Sequence, residues 1–176
     1  MDISELLRHC PLNAWSIGPN TFKKIIEILP PGSTLLEFGS GAATDLLGHF
    51  YKMKSIEDNS KWINRYNSTY YEVPLAPAGT KYPAFPEDPY WFDERVLSSK
   101  MASIGEYDAI LVDGPKGFRG GLYYNHSLFD FKNTTVIFDD VHCGDHHRLM
   151  TMIASDVGRT FTVYDDTHGK KFGILN

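Results

Sequence analysis

A chain of 176 residues, 42% hydrophobic and 22% charged, is sized and composed for one globular domain that buries its own core. No apolar run approaches the ~20 residues that span a bilayer. A net charge of −5 with no basic run excludes a broad phosphate-backbone footprint, so neither membrane nor nucleic acid is expected as a partner. Two cysteines, Cys10 and Cys143, are too few for a disulfide framework, and the opening MDISELLRHC lacks the apolar core of a secretion signal. A reducing, cytoplasmic setting is therefore expected.

Residues 1–30 read as an N-terminal helical segment of a single domain whose core is 31–176. In 19–29, Phe22, Ile25, Ile26 and Leu29 recur at helical spacing, and Pro30-Pro31-Gly32 ends the run. Thr34–Phe38 is a short buried strand, followed by Gly39-Ser40-Gly41 and a helical stretch over 42–50. A second strand is expected over 53–56, a helix over 59–66 and a third strand over 69–73. The segment 74–91 holds five prolines, so no helix or central strand passes through it; it is a surface excursion or a functional loop. Strands follow over 107–112 and 134–138, each stopped by an acid, then a helix over 145–157. Strands over 160–164 and 171–175, joined by a turn-rich link, close the chain as a hairpin. Alternating units of this kind imply a mostly parallel sheet with helices on both faces and a C-terminal antiparallel hairpin. Ligands of such sheets sit outside the carboxyl ends of the strands, where Glu37, Gly39, Glu57, Asp113, Asp139 and Asp140 converge.

The sharpest local signal is Leu36-Glu37-Phe38-Gly39-Ser40-Gly41-Ala42-Ala43-Thr44. Gly39 permits the turn after the strand, Gly41 a close approach of ligand to backbone, and the following helix offers N–H groups to an anion. A dinucleotide fingerprint asks for a third glycine where Thr44 stands. Glu57 lies 18 residues after Gly39, near the spacing of about 20 at which a carboxylate accepts ribose hydroxyls. Gathered strand-end carboxylates repel one another unless a proton or a cation intervenes. Lys116 is either an exposed loop lysine or a base, if burial disfavours its charge. Residues 117–121 are either a surface turn or a loop closing over substrate, with Arg119 toward an anionic group. His142 and His146 are four apart, but no second Cys/His group supports zinc. His142 is better placed as a base or substrate contact, with His146 and His147 either solvated or in a first helical turn. Trp15, Ile17 and Pro19 either pack or cap the pocket. Aromatic side chains, 14% of the chain, read mostly as core, with some able to line a pocket for a flat or sugar-like ligand.

The ordered set LLEFGSGAATDLL, MKSIEDN, YDAILVDGPKG and VIFDD, spread over about 105 residues, resembles the successive motifs of class I S-adenosylmethionine-dependent methyltransferases. Within that group it is similar to small-molecule and sugar O-methyltransferases of the catechol and glucuronoxylan types. The resemblance implies a Rossmann-like fold and methylation of a small-molecule or sugar hydroxyl. It assigns Glu37, Gly39, Ser40, Gly41 and Thr44 to the methionine end of the cofactor, Glu57 to its ribose, Asp58, Asn59 and Trp62 to its adenine, and Asp113 to the same pocket. By the same likeness Asp113, Asp139 and Asp140 would ligate Mg2+ or another divalent cation, with Asp140 standing where the family has Asn. Asp113, Lys116 and Asp140, with His142 in reserve, would do the chemistry. An NAD-dependent oxidoreductase, or a non-catalytic nucleotide-binding module on the same fold, is the alternative. No oligomeric state follows from the sequence.

Overall fold

The structure is a computed structural model that describes residues 3–9, 12 and 16–176; Cys10 and Trp15 lie outside the described residues. Seven strands form one sheet: β1 (Thr34–Phe38), β2 (Lys52–Glu57), β3 (Ser68–Glu72), β6 (Ala109–Val112), β7 (Thr135–Phe138), β8 (Phe161–Asp165) and β9 (Lys171–Leu175), in the order β3-β2-β1-β6-β7-β9-β8. The first five pair in parallel; β9 runs antiparallel to β7 and β8. The chain reverses direction of travel across the sheet between β1 and β6, which leaves a crevice at their carboxyl ends.

Alternation along the strands builds two cores. Leu36, Phe38, Ile110 and Val112 face one layer, shared with α4 (Glu94–Ile104) and α6 (Gly144–Val157). Leu35, Ala109 and Leu111 face the other, shared with α1 (Ile3–His9), α2 (Pro19–Ile28) and α3 (Ala42–Leu47). The parallel strands are thus apolar on both sides, as a sheet covered on two faces requires. Glu37, in phase with Leu35, points into the second layer.

Three segments depart from the sequence reading. Residues 59–66 make isolated turns rather than a helix: the Asn59 side chain accepts from Lys61 N, and Asn64 adopts φ +59°. An Asn side chain that bonds the following backbone offers the chain an alternative to the helix ladder. The Pro-rich segment contributes a two-stranded ribbon, β4 (Leu75–Pro77) against β5 (Tyr90–Phe92), outside the main sheet, where prolines are tolerated. Helix α4 went unread, although Asp93 caps it, its carboxylate accepting from Arg95 N and Val96 N at 3.0 and 3.1 Å. Ile17 is fully buried in the α2 layer, and Pro19 is the first residue of α2; both pack rather than cap the crevice.

Candidate functional site

A cavity of about 850 Å³ opens at the carboxyl ends of β1, β2, β6 and β7. Glu37, Gly39, Ser40, Gly41, Glu57, Asp58, Asn59, Trp62, Asp113, Lys116, Asp140 and His142 all line it. Thr44 does not: it is buried beneath the turn, accepting from Gly41 N at 2.9 Å and donating to Glu37 Oε1 at 2.7 Å. Its role is to hold the turn and the acid in place. Asp139, 1% exposed, sits behind the cavity wall.

The glycine turn works by close approach. Gly39 has φ +82°, and a side chain on Gly114 would meet Gly39 Cα at 2.8 Å and Phe38 O at 2.9 Å. The turns after β1 and β6 therefore touch backbone to backbone, which only glycine at both positions permits. A Cβ on Gly41 would meet open space instead, on the cavity side of the turn. The N–H groups of Gly39, Ser40 and Gly41 are spent internally. Gly39 N donates to Ile56 O at 2.8 Å, Ser40 N to Glu57 Oε2 at 2.6 Å, and Gly41 N to Thr44 Oγ1. Glu57 also accepts from Asp58 N and Asn59 N through Oε1, so one carboxylate ties the turn after β1 to the turn after β2.

This end of the cavity is acidic. Burial pushes the Glu37 carboxyl up to about 8, against the pull of hydrogen bonds from Ser55 and Thr44. Burial also raises Glu57 and Asp58. Trp62 stands at the edge of the cavity, its ring stacked near Tyr66 and capped by the Arg65 guanidinium at 4.7 Å.

The other end gathers groups from distant segments. Asp113, Asp139 and Asp140 come together as expected, with one oxygen of each within 4.8 Å of the others. Asp140 has φ +58°, a left-handed conformation that Asp tolerates better than most residues. Burial and the neighbouring Asp139 push Asp113 well up; burial and Asp140 push Asp139 to about 6. Burial alone would raise Asp140, but Arg119 and Lys170 hold it below the usual carboxylate range.

Arg119 is the main departure from the sequence reading. It is 4% exposed rather than part of a surface turn. Its Nη1 donates to Asp139 O at 2.8 Å and its Nη2 to Asp113 O, while Nη2 lies 3.4 Å from Asp113 Oδ1 and 3.2 Å from Asp140 Oδ2. The glycines beside it leave no slack for a closing loop. A Cβ on Gly120 would lie 2.2 Å from Phe85 Cγ and one on Gly121 2.2 Å from Trp91 Cγ, and Gly120 N donates to Asp88 Oδ2 at 2.6 Å. The Pro-rich segment thus grips the glycines, where α5 (Gly121–Asn125) begins.

Lys170, unread in the sequence, brings a second cation: Nζ lies 3.4 Å from Asp140 Oδ1 and donates to Ser16 O at 3.0 Å. Only its place beside Gly169 in a hairpin turn hinted at an ordered loop. Lys116 is exposed on the cavity wall, without the burial that its role as a base supposed. His142 Nδ1 lies 4.0 Å from Asp140 Oδ1. His146, in the first turn of α6, is half-buried and lines the cavity; burial and Arg119 push it down to about 4. His147 is exposed in the first turn of α6.

The oxygen donors suit a hard cation by type, and both carboxylate oxygens of Asp139 are buried without a hydrogen-bond partner. The space between the acids is nevertheless bridged by Arg119. The residues present therefore do not fit a divalent ion.

No protein-family model and no curated protein matches the sequence. Solved structures do match. An O-methyltransferase from Bacillus cereus in complex with S-adenosylhomocysteine (SAH) shares 14% identity and a TM-score of 0.59, covering 98% of this chain and 89% of that one. Precorrin-6y C5,15-methyltransferase from Geobacter metallireducens GS-15 shares 15% and 0.55, covering 89% and 84%. The MycE methyltransferase of the mycinamycin biosynthetic pathway, in complex with Mg and SAH, shares 12% and 0.59, covering 100% of this chain and 48% of that one. With strand order, parallel core and terminal hairpin in place, the chain has the mixed α/β fold of these methyltransferases.

Proposed function

We propose that the protein is an S-adenosylmethionine-dependent methyltransferase that methylates a hydroxyl of a small molecule or sugar. One observation carries this reading. The glycine turn spends the N–H groups of Gly39, Ser40 and Gly41 internally and faces the carboxyl groups of Glu57 and Asp58. Such a surface repels a pyrophosphate and attracts a cation. S-adenosylmethionine carries a sulfonium and an ammonium and no phosphate, whereas NAD carries two phosphates. The neighbouring folds bound to SAH support the same ligand class.

In this reading Glu37 and the Gly39–Gly41 turn hold the methionine end, Glu57 accepts from a ribose hydroxyl with the remaining lone pair of Oε2, and Asp58, Asn59 and Trp62 border the adenine. The reaction is an in-line displacement: the S–CH3 bond breaks as the acceptor oxygen bonds to the methyl carbon, leaving SAH. Alignment supplies much of the rate. A hydroxyl must also lose its proton, and His142, backed by Asp140, takes it. Lys116, Asp113 and the apolar side chains Leu75 and Phe118, also on the cavity wall, position the acceptor. Methylation at carbon, the second chemistry hosted by this fold, is the alternative if no hydroxyl acceptor is found.

Calorimetry tests the reading. SAH is expected to bind and NAD not to bind. Gly41→Arg, whose side chain enters open space, is expected to weaken SAH at least 100-fold while the melting temperature stays within about 2 °C. His142→Ala is expected to lower kcat about 100-fold with SAH affinity kept. Tighter binding of NAD than of SAH would overturn the assignment.

A further inference from the structure

We infer that Arg119 is a resident counter-ion standing where a divalent cation would bridge Asp113 and Asp140, so that the acid cluster works without a metal. The inference deepens the methyl-transfer reading and rests on it only for what the cluster serves.

The geometry argues this in three steps. First, one nitrogen, Nη2, reaches Asp113 Oδ1 at 3.4 Å and Asp140 Oδ2 at 3.2 Å, the two cluster acids that line the cavity. A Mg2+ ion demands near-octahedral oxygen ligands at about 2.1 Å. Drawing both carboxylates onto such an ion would set its charge against a buried guanidinium.

Second, the guanidinium is anchored. Its two terminal nitrogens donate to main-chain oxygens of Asp139 and Asp113, at the ends of β7 and β6. Its backbone is fixed by Gly120 and Gly121, which have no room for a Cβ against Phe85 and Trp91. Swinging Arg119 aside would break those bonds and leave a charge buried.

Third, compensation is already largely built in. Lys170 lies 3.4 Å from Asp140 Oδ1, so two fixed cations serve three carboxylates. Asp139 makes no hydrogen bond through its carboxylate but lies in the field of both cations. Planar Arg, with several donors, can bridge two carboxylates and two carbonyls at once, which Lys cannot.

The test uses Mn2+, which takes the same oxygen ligands as Mg2+ and is visible by electron paramagnetic resonance. The intact chain is titrated with Mn2+ to 1 mM at neutral pH, with and without SAH. Wild type is expected to leave the ion free, to show no shift in melting temperature, and to turn over in EDTA within twofold of its rate in Mg2+. Arg119→Ala is expected to bind one Mn2+ at least tenfold more tightly than wild type, and Asp113→Asn in that background to abolish it.

One Mn2+ per wild-type chain, lost in Asp113→Asn, would overturn the inference, as would a folded Arg119→Ala that gains no Mn2+. Should Arg119→Ala fail to fold, the wild-type titration decides alone: a free ion upholds the inference and a bound one refutes it. SAH affinity is read by calorimetry on the same samples. Absent SAH binding with free Mn2+ would count against the methyltransferase reading and leave this one standing.

Discussion

The two ends of the cavity are built by different means. At the glycine end, residues 37–44 and 55–59 come from two adjacent β-turn units, and their contacts are mostly backbone to carboxylate over short sequence separations. At the acid end, Asp113 and Arg119, Asp140 and Lys170 meet from three separate segments, and side-chain charge decides the arrangement. The first end is a local motif positioned by one strand pair, β1 and β2. The second exists only when β6, β7, the terminal hairpin and the Pro-rich segment are all docked. Substitutions at the glycine end should therefore act locally, on SAH binding, on the hydrogen bonds of adjacent turns or on one group's proton, whereas those around Arg119 should disturb contacts between distant segments.

Four measurements sharpen or break that contrast. The largest effect is expected from Glu37→Gln. Ser55 and Thr44 both donate to Glu37 Oε1, an acceptor that the amide retains. The folded carboxyl titrates near 8 and the unfolded one near 4.5, so the fold favours its protonated form and wild-type stability falls as pH rises between those values. Glu37→Gln removes that loss. Its stability relative to wild type should climb from pH 5 to pH 8 by on the order of 4 kcal/mol and then level off. Urea titrations at pH 5, 7 and 9 measure this, and a flat difference would place the proton elsewhere.

Next, Glu57→Ala strips the acceptor from Ser40 N, Asp58 N and Asn59 N. A loss of about 3 kcal/mol in stability and at least 50-fold in SAH affinity is expected, from denaturation and calorimetry. Third, Gly121→Ala drives a methyl to within 2.2 Å of Trp91 Cγ. A cost of about 2 kcal/mol is expected, with lower turnover because Arg119 shifts. An unchanged melting temperature would show that the Pro-rich segment yields easily. Smallest, Trp62→Ala at the cavity edge should weaken SAH about fivefold, about 1 kcal/mol, with no change in melting temperature.

Legibility followed the same division. Strand β9 was expected over 171–175 and is found there, and β1, β2 and β7 fall within about a residue of expectation, because apolar runs bounded by glycine, proline or acids leave few alternatives. Glu57, singled out by its distance from the glycine turn, lies on the cavity wall. Thr44 was placed in the right motif, yet it lies beneath the turn, since the first turn of α3 rotates its side chain toward Glu37. Arg119 read as a loop cation because glycines usually mark mobile surface. Here Gly120 and Gly121 are glycines because Phe85 and Trp91, some thirty residues earlier, occupy the space. No local pattern encodes that contact.

The amino-acid order by itself determined the strands of the main sheet, their parallel arrangement with a closing hairpin, and the acid-rich glycine turn. These depend on periodicity and on residues close in the chain. Tertiary structure alone decided that Thr44 supports rather than lines, that His146 leaves solvent, and that a buried arginine and Lys170 stand among the three aspartates. Charge compensation depends on distance in space, and groups separated by up to 57 residues, from Asp113 to Lys170, find that distance only once the sheet has closed.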